Sequence, residues 1–277
     1  MKVLATGATG RFAGLVVPAL LRSGLDVRAV VHDPTKTDIP RNHGAQETVA
    51  ADLRDHASVD TALDGVDGAF LITPAFAPGA TELGLAMIEA AQRSGVRKLV
   101  YSGVYHPSLP LENHASTRPI ETALYASDLD FTILQPAMFM QGLDDVWQQA
   151  RSTGALVMPW SRHSRMSYVD YRDVAEVAAL AFTDERLSYG TFELAADGMI
   201  DRVRLAELFG KASGTPVTAE DAPTDALPPG LPDGLRAMFA DYDRHGFHGG
   251  NSLVLRALLG RSPRSIESCV TELVSTP

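Results

Sequence analysis

The chain has 277 residues, 45% of them apolar, which suffices for two domains or one large one and excludes a small disulfide-stapled scaffold. Its 34 acidic and 24 basic side chains give a formal net charge of −10, against a general nucleic-acid surface, and no uninterrupted apolar run of about 18 residues marks a membrane span. Cys269 is the lone cysteine and the N-terminus lacks a signal-peptide pattern, so a reducing, cytoplasmic setting is expected.

Residues 3–6 read as a first strand, followed over 12–22 by a helix with Leu15, Val16, Ala19 and Leu20 on one apolar face. A second strand covers 27–31, a short third ends at Ala50-Ala51, and a helix spans about 57–63. The apolar run 68–73 is the fourth strand, 81–93 is helical, 98–102 is the fifth strand, and a helix near 120–125 leads to a sixth over 131–134, stopped at Pro136. Strands alternating with helices describe an α/β, Rossmann-type doubly wound parallel sheet over residues 1–137. Beyond it, isolated strands near 156–157, 167–169 and 191–194 and helices near 174–182, 205–212 and 266–274 suggest a smaller C-terminal α+β lobe over 138–277, with later segments returning to the sheet. Pro223, Pro228, Pro229 and Pro232 make 221–233 a loop, because proline denies donors to helix and sheet.

The segment from Thr6 to Gly14, Thr-Gly-Ala-Thr-Gly-Arg-Phe-Ala-Gly, lies between the first strand and the first helix. There Gly7 permits a tight turn, Gly10 lets the backbone approach a pyrophosphate, and Ala13 is small enough for the helix to pack on the sheet. The helix N-terminus offers N–H groups to the phosphates. Thr9, Arg11 and Phe12 complete this cofactor loop. After the second strand, His32 and Lys36 suit a ribose 2′-phosphate, whereas Asp33 either repels it or caps the turn, so NADP is the expected cofactor and NAD the alternative. Asp52 and Leu53 are placed for the adenine, and Thr73, Pro74, Ser102 and Pro136 border the cofactor at the tips of later strands.

Six segments taken together resemble the NmrA-like branch of the atypical short-chain dehydrogenase/reductase superfamily. They are Thr6 to Arg11, Val27-Arg-Ala-Val-Val-His-Asp-Pro34, Ala51-Asp-Leu-Arg-Asp55, Leu129-Asp-Phe-Thr-Ile-Leu-Gln-Pro136, Tyr168-Val-Asp-Tyr-Arg-Asp-Val-Ala175 and Gly260-Arg-Ser-Pro-Arg264. The resemblance implies an NAD(P)-binding protein, in a family that holds NADPH-dependent reductases of quinones and other compounds as well as cofactor-sensing regulators. His32 stands where the family often has arginine.

The superfamily's usual device joins a tyrosine acid to a lysine that lowers its pKa and a serine that binds the carbonyl. Here Ser102 ends the fifth strand and Tyr105-His106 follows, but no Tyr-x-x-x-Lys appears, and Thr117, beside Arg118, occupies the position where related sequences place lysine. Three readings stay open. Tyr105 or His106 donates a proton to an acceptor that takes hydride directly; His114 and Ser116 merely cap the next helix and the site has no acid; or the scaffold performs non-redox chemistry. Met138, Phe139 and Met140 either floor an aromatic pocket or fill core, and Trp147 and Trp160 are further cleft candidates. Asp170 and Asp173 read as helix-capping acids, and Asp241 to His248 as a helix end with a hinge, with no metal site. The expected function is an NAD(P)H-dependent oxidoreductase acting on a small hydrophobic carbonyl, quinone or aromatic compound. A redox sensor without turnover and a non-redox tailoring enzyme are the alternatives. The expected partner is a small hydrophobic molecule rather than nucleic acid or membrane, and the protein a monomer or homodimer.

Overall fold

A computed structural model describes residues 1–222, 227 and 229–276. In chain order the first stretch runs β1 (Lys2–Ala5), α1 (Val16–Arg22), β2 (Asp26–Val31), α2 (Asp38–Asn42), β3 (Glu47–Ala50), α3 (His56–Leu63), β4 (Gly68–Ile72) and α4 (Ala80–Arg93). It continues through β5 (Lys98–Ser102), α5 (Glu112–Ala115), α6 (Arg118–Tyr125), β6 (Asp130–Pro136), β7 (Met138–Phe139), α7 (Leu143–Thr153), β8 (Ala155–Met158) and β9 (Tyr168–Val169). The remainder is α8 (Tyr171–Thr183), β10 (Gly190–Leu194), α9 (Arg202–Ser213), β11 (Thr218–Asp221), α10 (Asp233–His245), α11 (Leu253–Leu259) and α12 (Ile266–Ser275).

A seven-stranded sheet has the order β10-β6-β5-β4-β1-β2-β3, and its pairs from β6 through β3 are parallel. From β1 the chain builds outward through β2 and β3, then returns to β4, β5 and β6 on the other side. The order therefore reverses between β1 and β4, where doubly wound sheets receive ligands beyond their carboxyl ends. One face of the sheet contributes Leu4, Leu71, Leu99 and Ile133 to a buried cluster with Leu63, Met87, Ile120 and Leu124 of the covering helices. Continuous apolar strands such as Gly68–Ile72 follow from burial on both faces.

The chain forms two compact units, residues 1–136 with 171–193 and residues 137–170 with 194–277. α8 and all but the last residue of β10 thus belong to the first unit. α8 buries Tyr171, Val174, Val177, Ala178, Ala181 and Phe182, an apolar surface too broad for a helix left in water, and it packs on α1, β5 and β6. In the second unit β8 pairs with β11 and β7 with β9. Arg202, 2% exposed, ties that unit together by donating to the carbonyls of Met158 (2.8 Å) and Trp160 (2.7 Å) and to Asp221 (3.0 Å).

Two expectations need correction. The helix expected from residue 12 begins as a 3-10 turn over Ala13–Leu15 and becomes α-helical only at Val16. An α-helix starting at residue 12 would require Pro18 to donate an N–H to Gly14, and proline has none. Helices α2, α7 and α11 and strands β7 and β11 also stand where no element was expected, and α10 is the helix whose end was expected at Asp241 to His248. The proline-rich loop has Asp221 at the end of β11 and Asp233 at the start of α10, and Pro223 and Pro228 lie outside the described residues.

Candidate active site

At the tip of β1 the backbone folds into successive tight turns, Gly10 N–H donating to the Gly7 carbonyl (2.8 Å) and Gly14 N–H to that of Gly10 (2.9 Å). Gly7 has φ +68°, and a Cβ there would sit 2.8 Å from Ile72 Cγ2 at the end of β4 and 2.9 Å from Ala13 Cβ. Only glycine meets both demands, so β1, the loop and β4 close on one another at the position where the strand order reverses. Thr6 adds to this closure, its N–H donating to Phe70 (3.0 Å) and its hydroxyl accepting from Ile72 N–H (3.0 Å). Gly7, Gly10 and Arg11 are exposed, Thr9 and Phe12 half-buried, and the Phe12 ring lies 6.4 Å from that of Tyr171. This exposed, Cβ-poor backbone is a surface that fits a pyrophosphate.

Beyond β2, Asp33 caps a short 3-10 turn, accepting from Thr35 N–H (2.9 Å) and hydroxyl (2.7 Å). Those two bonds hold its carboxyl below the ordinary carboxylate range. His32 and Lys36 are both exposed beside it. Asp52 accepts from Arg54 N–H (3.0 Å), whereas the cap of α3 is Asp55, and Leu53 packs on the sheet's core. Thr73 is half-buried and Pro74 exposed just after β4.

Ser102 ends β5, and Tyr105 and His106 follow it. Ser102 is 2% exposed and its Oγ lies 3.2 Å from the hydroxyl of the fully buried Tyr171, so it is engaged inward. Burial pushes the Tyr171 phenol up, against the pull of that hydrogen bond. The ladder between β5 and β6 extends past the strand ends, with Gly103 N–H donating to Leu134 (2.9 Å) and Tyr105 N–H to Pro136 (3.0 Å). The chain then turns at His106, which has φ +53° although it carries a side chain. The His106 carbonyl accepts from Leu109 N–H (3.0 Å) and from His114 Nδ1 (3.0 Å), and its own Nδ1 lies 2.8 Å from Glu193 Oε1 at the end of β10. The Tyr105 and His106 rings are 4.0 Å apart. Tyr105 is 3% exposed, and burial, then the Glu193 charge, raise its phenol above the ordinary value.

His114, a helix cap in one of the three readings, lies fully buried within α5 and anchors His106; Ser116 donates to Asn113, and Thr117 to His114. Arg118 is exposed at the start of α6. Tyr171 and Glu193 are site neighbours that the sequence did not single out, because they meet their partners across sequence separations of 69 and 87. A polar side chain at the end of an expected strand was the one available signal for Glu193.

The second unit contains a cavity of about 280 Å³ lined by Met140, Met166, Met199, Tyr168 and Ile266, with Asp197, Arg204 and Glu267 also on its wall. Polarizable methionine sulfurs suit aromatic rings. Of the expected floor residues, Met140 reaches this cavity, while Met138 and Phe139 pair with β9. Trp147 stacks on Phe209 (4.9 Å, 8°), and Trp160 packs on Phe239 and Tyr242, so both tryptophans build aromatic clusters. Asp170 and Asp173 are fully buried, Asp170 accepting from Gln141 (2.7 Å).

The model of the NmrA-like family matches residues 1–255. The chain belongs to the NmrA-like family. Its relatives include the NAD(P)H azoreductase of Xenophilus azovorans, 30% identical over 240 residues that cover 84% of this chain and 83% of that one. Quinone oxidoreductase 2 of Escherichia coli strain K12 is 27% identical over 283 residues, 97% of each chain. Among solved NmrA-like folds, the Citrobacter sp. triphenylmethane reductase complexed with NADP(H) superposes with a TM-score of 0.85 at 20% identity, covering 99% of this chain and 100% of that one.

Proposed function

We propose that this NmrA-like protein is an NAD(P)H-dependent reductase of quinones or related aromatic compounds, with NADPH as the preferred cofactor. The observation that carries the proposal is the Gly7 closure at the strand-order reversal, a turn that tolerates no Cβ at residue 7, set in the same row of strand ends as His106. The ends of β1 and β5 are two strand spacings apart, about 10 Å, so a dinucleotide whose pyrophosphate lies on the loop can extend toward the loop after β5. His32 and Lys36 support NADPH, since Asp33 is drawn into capping its own turn.

When bound, a reduced nicotinamide supplies a hydride. The chain's part is to hold the dinucleotide on residues 7–12 and to provide a proton where the acceptor gains negative charge. The azoreductase and quinone oxidoreductase relatives support an electron-poor aromatic acceptor. Such acceptors take hydride without the tyrosine-lysine device, which this chain lacks. The inward engagement of Ser102 favours a second reading, a cofactor-binding sensor without turnover.

One experiment separates them. Purified protein is titrated with NADPH and NADH, and quinones and azo compounds are then added while the nicotinamide absorbance is followed. Protein-dependent loss of the band, faster with NADPH, is the expected result. Binding without loss would favour the sensor, and no binding would remove both readings.

A further inference from the structure

His106 occupies a left-handed backbone conformation that a residue with a side chain adopts only at a cost, and such strain persists where the surroundings over-determine it. Here they do so from several directions. The carbonyl is fixed by Leu109 N–H and by buried His114, the preceding residue is tied to Pro136, and the imidazole is fixed by Glu193. The strain therefore serves to place one ring. We propose that Glu193 is a positioning residue that holds His106 by Nδ1–H, so that the labile proton of the imidazolium is the one on Nε2 and His106 is the proton donor of the reduction.

A carboxylate only accepts, so the 2.8 Å contact assigns the Nδ1 proton to the histidine, and loss of a second proton from the imidazolium then comes from Nε2. The titratable groups set against His106 are Glu193, Tyr105 and His114. Tyr105 is the poorer donor, because burial and Glu193 both hold its phenol protonated. His114 uses its Nδ1 proton on the His106 carbonyl. This inference rests on the reductase reading. In a quinone reduction the acceptor takes two electrons and one hydrogen as hydride from the reduced nicotinamide. It then takes one proton from His106 Nε2; the nicotinamide leaves oxidised, and the neutral imidazole regains its proton from water.

The test is kcat against pH, with NADPH and a quinone, for wild type, Glu193→Ala and Glu193→Gln. Both partners are partly solvated, with side chains 32% and 44% exposed, so the substitutions leave the fold intact. The expected result for Glu193→Ala is a loss in kcat of about 10- to 100-fold at pH 7.5 with little change in KM for NADPH. A loss confined to kcat, with KM for NADPH and thermal unfolding unchanged, is what a merely structural role would not give. Glu193→Gln keeps an acceptor without the charge and should lose less. An unchanged kcat and pH profile in both variants, beside an active wild type, would overturn the dyad and leave the reductase standing. A wild type that oxidises no NADPH with any acceptor would overturn the reductase reading and the dyad with it.

Discussion

Among single residues, Gly7 and Gly10 carry different constraints although both belong to one loop motif. A side chain at Gly7 meets Ile72 and Ala13 and also requires positive φ, whereas at Gly10 it meets only the Gly7 carbonyl, at 3.1 Å. Gly7→Ala should therefore weaken NADPH binding by about 100-fold or more, and Gly10→Ala by less, as read by calorimetric titration. A bulkier Gly10→Val would block the pyrophosphate itself. Ser102 and His106, both expected as catalytic candidates, should also separate. Ser102→Ala removes a hydrogen-bond partner of buried Tyr171 and is expected to cost about 1–3 kcal/mol of stability with a small effect on rate. His106→Gln should lower kcat by about 100-fold or more with stability nearly intact. Thermal unfolding together with steady-state rates on the two variants checks the contrast. The reactive residue types after β5 were readable from the sequence, but which of them is engaged inward depends on Tyr171, far along the chain.

The elements around the site depend on close helix packing. Gly84 of α4 faces Ile120 of α6 so tightly that a Cβ would lie 2.4 Å from Ile120 Cδ1. Gly84→Ala should destabilise by about 1–3 kcal/mol in urea unfolding, the usual range for overpacking a closed core. On the same helix α6, Glu121 is 7% exposed and accepts from Gln135 Nε2 through both oxygens at 3.0 Å. Burial raises its carboxyl above the ordinary 4.5, outweighing the hydrogen bond from Gln135. A carboxyl raised in the folded state contributes stability fully below its unfolded value and loses it as pH rises through the folded one. Glu121→Gln should thus gain stability relative to wild type from pH 4.5 upward, a difference measurable by unfolding at pH 4 and pH 8. The strands of the sheet were legible because burial on both faces leaves continuous apolar runs between glycine and proline. By contrast α7 was not, since Leu-Asp-Asp-Val-Trp-Gln-Gln shows a single apolar stripe amid polar residues that only tertiary contact reveals, and of α10 only the end at Asp241 to His248 was legible.

For the molecule as a whole, the glycine loop between β1 and α1 and the alternation of strand and helix carried the fold class and the NmrA-like family from sequence to structure. Later segments were expected to return to the sheet, but which of them do so was not legible: residues 171–193 belong to the first unit and bring Tyr171 to Ser102 and Glu193 to His106. Local patterns give an element's type, whereas its place in a sheet is decided by which apolar surface remains uncovered, and α8 covers one left by β5 and β6. Among the described residues no helix is long and apolar enough to cross a membrane. The measurement that tests the reductase claim most directly is an anaerobic single turnover, in which NADPH-loaded protein is mixed with a quinone and both cofactor and quinone are quantified. One hydroquinone should form per NADPH oxidised in the wild type, and no such reaction should occur in Gly7→Ala for lack of bound cofactor. Bound NADPH that survives the mixing unchanged in the wild type would contradict the reductase claim.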